Sequence, residues 1–365
     1  MEEDSRGQQG SRASESVAAT VPARAMLVGY PSAAYGGRVL SVAVANHGAT
    51  VVASPADELR ISPGPDDRRD WRSLDHLAEK VLRYGYGTGV QLLEAALIGF
   101  ARWRSELGDP LPAVGLELSY DTDIPRQVGL GGSTAIVIAA QEALAGFYGV
   151  EVPVDLRPAV AFRAESEELG LPAILADAVA QVRGGVTAMD FAPDRIATDD
   201  GLDVGRYEAL DPTALPHLFL AYLERPAGPA VERTDDLDER FAQGDRMTID
   251  GLRRLSSLAA EAHAALRWHN TSRLGELIDI SFDVHSSIAE IPSAVVDLVD
   301  AARELDAGAT SAGGRGTAIV GTYDDATHLA SIADRLSAFG AIAVGLEVAE
   351  NRQPLAAGSQ SELGG

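Results

Sequence analysis

The chain of 365 residues contains no cysteine, which excludes disulfides, a catalytic thiolate and Cys-ligated zinc. It also lacks any apolar run near the roughly 18 residues needed to cross a bilayer, although 46% of its residues are hydrophobic. Positive charge is scarce: 30 Lys and Arg face 54 Asp and Glu, a net charge of −24. Such a surface repels phosphodiester backbones and anionic lipids, so neither nucleic-acid nor membrane partners are expected. Any anionic substrate must then be met by local positive charge or by metal. The 7 histidines show no His-x-x-x-His or comparable spacing and read as structural or surface residues. The opening MEEDSRGQQGSRASES is polar and acidic where a secretory signal would be basic and then apolar. Residues 1–20 and 355–365 are therefore expected to be disordered tails, and the protein to be cytoplasmic.

What the chain does have is a segment over residues 121–140, DTDIPRQVGLGGSTAIVIAA: a polar turn, a glycine-rich loop, then an apolar run with no helix breaker. Glycines reach backbone conformations closed to other residues, and Ser133 and Thr134 are candidates to cap the helix that follows. Backbone N–H groups then converge where a helix dipole begins, which is an anion site suited to phosphate. Two other glycine motifs fit less well. In a dinucleotide fingerprint the strand runs straight into the first glycine and a third Gly or Ala follows, whereas here Pro125 interrupts the approach and position 134 is Thr. A P-loop needs a Lys-Ser or Lys-Thr pair after the glycines, and none is present.

The rest of the chain reads as two lobes, which suits its length. AMLVGY, RVLSVAVA, ATVVAS and ELRIS, separated by Gly, Pro and Asn-His-Gly turn signals, predict an antiparallel sheet. Helices are predicted over 73–80, 89–104, 158–169 and 173–182, with a strand over 113–120 and another at GGVTAMDF. Polar, Asp-, Gly- and Pro-rich composition over 197–216 marks the boundary, dividing the chain into lobes 21–205 and 206–354. Beyond it, HLFLAYLE, TAIVGTY and AIAVGLEVA read as strands, and 235–268, 271–289, 292–305 and 326–339 as helices, an α+β arrangement.

Four separated segments, ARAMLVGYPSAAYGGR, LSYDTDIPRQVGLGGSTAIV, AESEELGLPAILADAVAQVRGGVTAMDF and GATSAGGRGTAIVG, together resemble the GHMP family of small-molecule kinases. Within it they look most like the glucuronokinases of plants. The resemblance implies an α+β fold of two lobes, the first like domain 2 of ribosomal protein S5 and the second ferredoxin-like, with the active site between them. It implies that Gly129, Leu130, Gly131, Gly132, Ser133 and Thr134 bind the ATP phosphates. Mg²⁺ would be held by a hydroxyl of Ser133 or Thr134 and by a glutamate, Glu165 by the spacing from Asp177, with Glu167 and Glu168 as alternatives. Magnesium takes oxygen ligands and keeps several waters, so such a donor set suffices. Asp177, an acid inside an Ala/Leu/Val-rich helix, takes the place of the catalytic aspartate that accepts or orients the proton of the attacking hydroxyl. Arg24 aligns with a basic residue beside it. Gly313, Gly314 and Arg315 belong to the third motif, which closes the site.

The chain departs from glucuronokinases where substrate is chosen. They carry Asn and Asp at the places of Tyr30 and Ala34, Arg at the place of Ala178 and Gly at the place of Arg315. Unpaired polar groups are what a specific site rejects most strongly, so these positions, with Gly313 and Gly314, are the candidate acceptor contacts. The expected activity is an ATP- and Mg²⁺-dependent sugar kinase, glucuronokinase-like with a sugar 1-phosphate product. A kinase of a cyclitol or of a sugar or cyclitol phosphate is the alternative, and an NAD-dependent oxidoreductase or a non-catalytic binding protein stands outside it. The expected partner is a small sugar-like molecule, and the expected state a monomer or homodimer.

Overall fold

The structure, a computed structural model, describes residues 15–64, 67, 89–223, 236–314 and 316–352. The helix expected over 73–80 and the expected site residue Arg315 lie outside the described residues. β1 (Val17–Val28) begins inside the expected N-terminal tail and runs antiparallel to β2 (Arg38–Pro55). β2 is 18 residues long, enough for two partners on its other edge. Its first part pairs with β5 (Val186–Asp190) and its last part with β4 (Leu116–Thr122), both antiparallel. ELRIS yields only the two-residue β3 (Arg60–Ile61), and that lies parallel to β4.

After β5, β6 (Ala197–Asp199) and β7 (Leu202–Val204) form a small hairpin of their own. The next strand, β8 (Arg206–Leu210), pairs antiparallel with β5. The residues after 205, which the composition assigns to the second lobe, therefore begin as an edge strand of the first sheet. Exposure explains how that strand escaped notice: Arg206 and Ala209 are exposed and of its five residues only Leu210 is buried, the mark of a largely solvated edge in a polar stretch.

Of the four helices of this lobe, α1 (Gly89–Glu106), α2 (Gly132–Tyr148), α3 (Arg157–Arg163) and α4 (Leu175–Arg183), α2 and α4 pack on the sheet, and α1 and α3 pack chiefly against those helices. α2 is buried without a break from Thr134 to Ala145, as expected of a helix that is apolar on all sides. It is the axis of the first lobe.

The second lobe has four antiparallel strands, β9 (His217–Leu223), β10 (Ala309–Ser311), β11 (Ile319–Tyr323) and β12 (Ala341–Gly345), in the order β10-β11-β9-β12. That is the ferredoxin-like order. Its helices are α5 (Leu237–Ala242), α6 (Arg246–Arg267), α7 (Thr271–Ile288), α8 (Ser293–Arg303) and α9 (Ala326–Ser337). The single helical region expected over 235–268 is broken at Asp245, whose carboxylate caps α6 by accepting from the Thr248 N–H at 2.9 Å.

The two lobes share a core, since Leu252, Leu255 and Leu258 of α6 belong to the same buried cluster as Val42 and Val44 of β2. After β12 the chain returns to the first lobe: the Ala349 N–H donates to the Ala43 carbonyl at 2.9 Å, and the Gly185 N–H to the Ala349 carbonyl at 3.0 Å. Among the described residues no helix is long and apolar enough to cross a membrane.

Candidate active site

Arg24 sits on β1 between Ala23 and Ala25, and all three are buried. A guanidinium enclosed in this way must have its donors met. Nε donates to Asp177 Oδ1 at 2.9 Å and Nη2 to Asp177 Oδ2 at 2.8 Å, a two-pronged pair. Nη1 donates to the Gly129 carbonyl at 2.5 Å and to the Ala312 carbonyl at 3.2 Å. One side chain therefore joins the acidic helix, the glycine-rich loop and the third motif. The backbone repeats the connection, with the Arg24 N–H on the Leu130 carbonyl at 3.1 Å and the Met26 N–H on the Ala312 carbonyl at 2.9 Å.

Asp177 lies in the first turn of α4, where the helix dipole favours a carboxylate. Its side chain is 15% exposed. The acid is thus held by Arg24 on one side and keeps an opening on the other, and its oxygens retain lone pairs for a further donor.

The loop over residues 129–134 turns through Gly129 (φ 87°) and Gly131 (φ 74°), conformations that glycine adopts without strain. Gly131 is the residue on which α2 begins, and it makes no side-chain cap. Ser133 and Thr134 do not cap the helix as the sequence suggested; they lie inside its first turn. The hydroxyl of Thr134 donates instead to Glu165 Oε2 at 2.8 Å. Gly132 and Ser133 remain with their backbone at the helix start, and Leu130 is buried in the core.

Glu165 stands on a turn of π-helix, Ala164–Glu168, that continues α3. Such a turn shifts the register of the side chains that follow it. Only Glu165 of the three candidate glutamates is buried, at 3% exposure. Glu167 pairs with Arg163 at 3.2 Å and Glu168 with Arg102 at 2.6 Å, both engaged away from Thr134. Burial pushes the Glu165 carboxyl up to about 7, against the hydrogen bonds of Thr134 and Ser133 that favour its charged form. Asp177 raises it further and Arg24 lowers it, so all four groups share one electrostatic neighbourhood. A hard cation with oxygen ligands fits this donor set of one carboxylate and two hydroxyls, because it would offset the burial of the charge.

The third motif packs backbone to backbone on the loop. The Ala318 N–H donates to the Val128 carbonyl at 2.8 Å, and a Cβ on Gly316 would overlap the Val128 carbonyl. A Cβ on Gly313 would come within 3.0 Å of Met26 and 3.3 Å of Arg24 Nη1, and one on Gly314 within 3.6 Å of the Gly129 Cα.

The expected acceptor positions separate. Tyr30 packs its ring edge-on to His285, centroids 5.5 Å apart, beside a cluster that includes Ala176 and Val179 on either side of Asp177. Ala34 is exposed on the turn that follows. Ala178 is 1% exposed, with its methyl in the core of the first lobe, so it does not face a ligand as the sequence reading had it. One residue about 100° round the helix from Asp177 points inward where Asp177 points out.

His285 was passed over by the sequence as structural or surface; it is buried, and burial brings its imidazole down to about 4, neutral at physiological pH. Its signal was present in the stripe Leu274, Ile278, Phe282 and His285 along α7. One turn earlier, Ser281 Oγ accepts from the Gly29 N–H at 3.1 Å, tying the second lobe to the segment that carries Tyr30.

A buried carboxylate beside hydroxyls at a helix start, next to an Arg-held aspartate, is the equipment of phosphoryl transfer. The family model for the GHMP kinases N terminal domain matches residues 92–185, and that for the GHMP kinases C terminal matches residues 259–342. The chain belongs to the GHMP kinase family and is a phosphotransferase with an alcohol group as acceptor.

It is 37% identical over 304 residues to Glucuronokinase 1 of Arabidopsis thaliana, covering 82% of this chain and 83% of that protein. Probable glucuronokinase 2 of the same plant is 36% identical over 305 residues, covering 82% of each. In overall fold the chain is similar to Lactococcus lactis galactokinase, solved in complex with galactose, with a TM-score of 0.71 over 93% of this chain and 95% of that one, at 16% identity. Phosphomevalonate kinase of Streptococcus pneumoniae gives a TM-score of 0.69 over 91% and 99%, at 15% identity. At those identities the crystal structures speak for the fold alone, and they assign both lobes to the GHMP kinase fold.

Proposed function

We propose that this GHMP-type sugar kinase transfers the γ-phosphoryl group of ATP to a sugar acid, with glucuronate as acceptor and a sugar 1-phosphate as product. The observation that carries the reading is the buried Arg24 guanidinium, which joins Asp177, Gly129 and Ala312 and so brings the acidic helix, the glycine loop and the third motif to one point. The likeness to the two plant glucuronokinases supports the acceptor.

In this reading the backbone of Gly129 to Thr134 receives the β- and γ-phosphates at the start of α2. Glu165 with the Thr134 and Ser133 hydroxyls would hold Mg²⁺, which when bound offsets the charge of the phosphates. The acceptor hydroxyl approaches Asp177, gives its proton to a carboxylate oxygen and attacks the γ-phosphorus; the bond to the bridging β,γ-oxygen breaks and ADP leaves. Arg24 holds both Asp177 oxygens and so fixes the carboxylate in rotation, and its charge lies beside the group in transfer. Tyr30, Ala34, Gly313, Gly314 and Arg315 would bound the acceptor pocket. A net charge of −24 suits a cytoplasmic monomer or homodimer working on small molecules without nucleic-acid or membrane partners.

ATP consumption measured against uronic acids, neutral hexoses, heptose phosphates and cyclitol phosphates tests the acceptor. Turnover is expected with glucuronate. Turnover confined to a neutral sugar, or to a phosphorylated sugar or cyclitol, would overturn that choice while leaving the kinase reading intact.

A further inference from the structure

Gln181 follows Asp177 by one turn of α4, on the same face, and is completely buried. Its Nε2 donates to the Gly131 carbonyl at 3.0 Å and to the Pro22 carbonyl at 2.9 Å, while its Oε1 has no partner among the described residues. The amide can sit only one way round, since exchanging O and N would set an oxygen against two carbonyl oxygens.

The two acceptors are not arbitrary backbone. Gly131 is the residue from which α2 starts, and its carbonyl also receives the first N–H of that helix, from Ala135 at 2.9 Å. Pro22 stands two residues before Arg24 on β1. A single amide therefore ties the glycine loop and the Arg24 strand to the helix that bears Asp177. The fit is close: a Cβ on Gly131 would lie 3.1 Å from Nε2 and 3.2 Å from Arg24 Cγ.

The returning segment fastens this arrangement from behind. Arg352 Nη2 donates to Glu142 Oε2 at 2.6 Å and to the Thr20 carbonyl at 3.1 Å, and Nη1 reaches the carbonyl of Gln181 itself at 3.4 Å. Glu142 belongs to α2 and its side chain is 4% exposed. Arg352 thus spans the helix that starts at the loop and the helix that carries the acid.

We propose that Gln181 is a positioning residue for phosphoryl transfer, setting the loop at Gly131 at a fixed separation from Asp177, with Arg352 bracing it. It touches neither nucleotide nor acceptor. Its action is to keep the γ-phosphorus and the proton-accepting oxygen in register, where a misplacement of about 1 Å can cost on the order of a hundredfold in rate. The proposal rests on the reading of the loop as the ATP-phosphate site.

Gln181→Met keeps side-chain length and removes the donor. Calorimetric titration of ATP with Mg²⁺ and no acceptor should show the dissociation constant rising about tenfold, the size expected when the loop loses one hydrogen bond that sets its position. With whichever acceptor the wild type turns over, kcat should fall at least as far while the acceptor KM changes less than about twofold. A purely structural role predicts otherwise: a smaller active fraction, with ATP affinity per folded molecule unchanged. That result would overturn the proposal, as would ATP and acceptor constants rising together. Should Gln181→Met fail to fold, Arg352→Ala decides the matter, with ATP affinity expected to weaken about threefold and an unchanged value counting against it. Wild-type protein that binds no ATP would instead refute the reading of the loop, and the wild-type titration alone reports that.

Discussion

Replacing Glu165 with Gln should stabilise the metal-free protein at neutral and higher pH while removing its response to magnesium. The carboxyl is buried at 3% exposure and raised from 4.5 to about 7, chiefly by burial. Below pH 4.5 the group is protonated whether the chain is folded or not, and stability does not change with pH on its account. As pH rises from 4.5 the unfolded chain releases the proton and the folded one does not, so stability falls with pH until the folded group ionises near 7. A shift of that size corresponds to about 3 kcal/mol, present below pH 4.5 and lost above pH 7. Glutamine keeps the shape and still accepts from the Thr134 hydroxyl, which donates to Glu165 Oε2 at 2.8 Å. It has no proton to lose.

Urea unfolding of both proteins without metal, at intervals from pH 4.5 to 8, measures the difference directly, and the many other carboxylates cancel between them. The advantage of Glu165→Gln should grow to about 3 kcal/mol by pH 7 and then level. At pH 8, Mg²⁺ with ATP should stabilise the wild type much more than the variant. A stability difference that does not change with pH would refute the burial argument. An equal response of both proteins to magnesium would refute the placement of the cation.

Two substitutions probe the neighbouring groups. Asp177→Asn keeps the shape of the acid and one acceptor for Arg24 but removes its basicity; phosphoryl transfer should fall by about a hundredfold or more while ATP affinity stays near the wild-type value, as followed by coupled assay and calorimetry. Unchanged turnover would remove Asp177 from the proton path. Gly316→Ala places a methyl where the Val128 carbonyl already sits, against backbone that cannot yield as a side chain would; it should weaken ATP binding and destabilise the protein by about 1–3 kcal/mol, as read from urea midpoints. Wild-type affinity and stability in that variant would show that the loop and the third motif do not need their close approach.

The glycine loop was legible in the sequence because its chemistry is local: positive φ at Gly129 and Gly131 and a helix start at Gly132 follow from neighbouring residues. Glu165 was picked out by its spacing from Asp177, with Glu167 and Glu168 kept as alternatives because a spacing count cannot see the π turn that buries Glu165 and leaves the other two to their arginines. The hydrogen bonds of Arg24 were beyond reach, because Gly129 and Ala312 lie 105 and 288 positions away in the chain. Gln181 left no signal apart from its spacing to Asp177; its partners are backbone carbonyls, which every residue offers. In the fold, the apolar runs of β1 and α2 announced themselves, whereas β2 continues unbroken through the Asn46, His47 and Gly48 that read as a turn. β8 escaped notice, because a largely solvated edge strand reads as a loop.

The position of Arg24 explains why three motifs scattered along the chain work as a unit. Its Nη1 accepts no choice between lobes: it bonds the Gly129 carbonyl from the first and the Ala312 carbonyl preceding Gly313 from the second. Nε and Nη2 each give one donor to Asp177. An ammonium group has three donors on a single nitrogen and cannot grip both carboxylate oxygens in a plane while reaching two carbonyls beside them, whereas the guanidinium fork can. Burial at 2% exposure makes every one of these bonds costly to leave unmade. The same side chain that holds the acid in place thus joins the two lobes at the loop. Docking of the third motif and readiness of Asp177 are consequences of one buried charge.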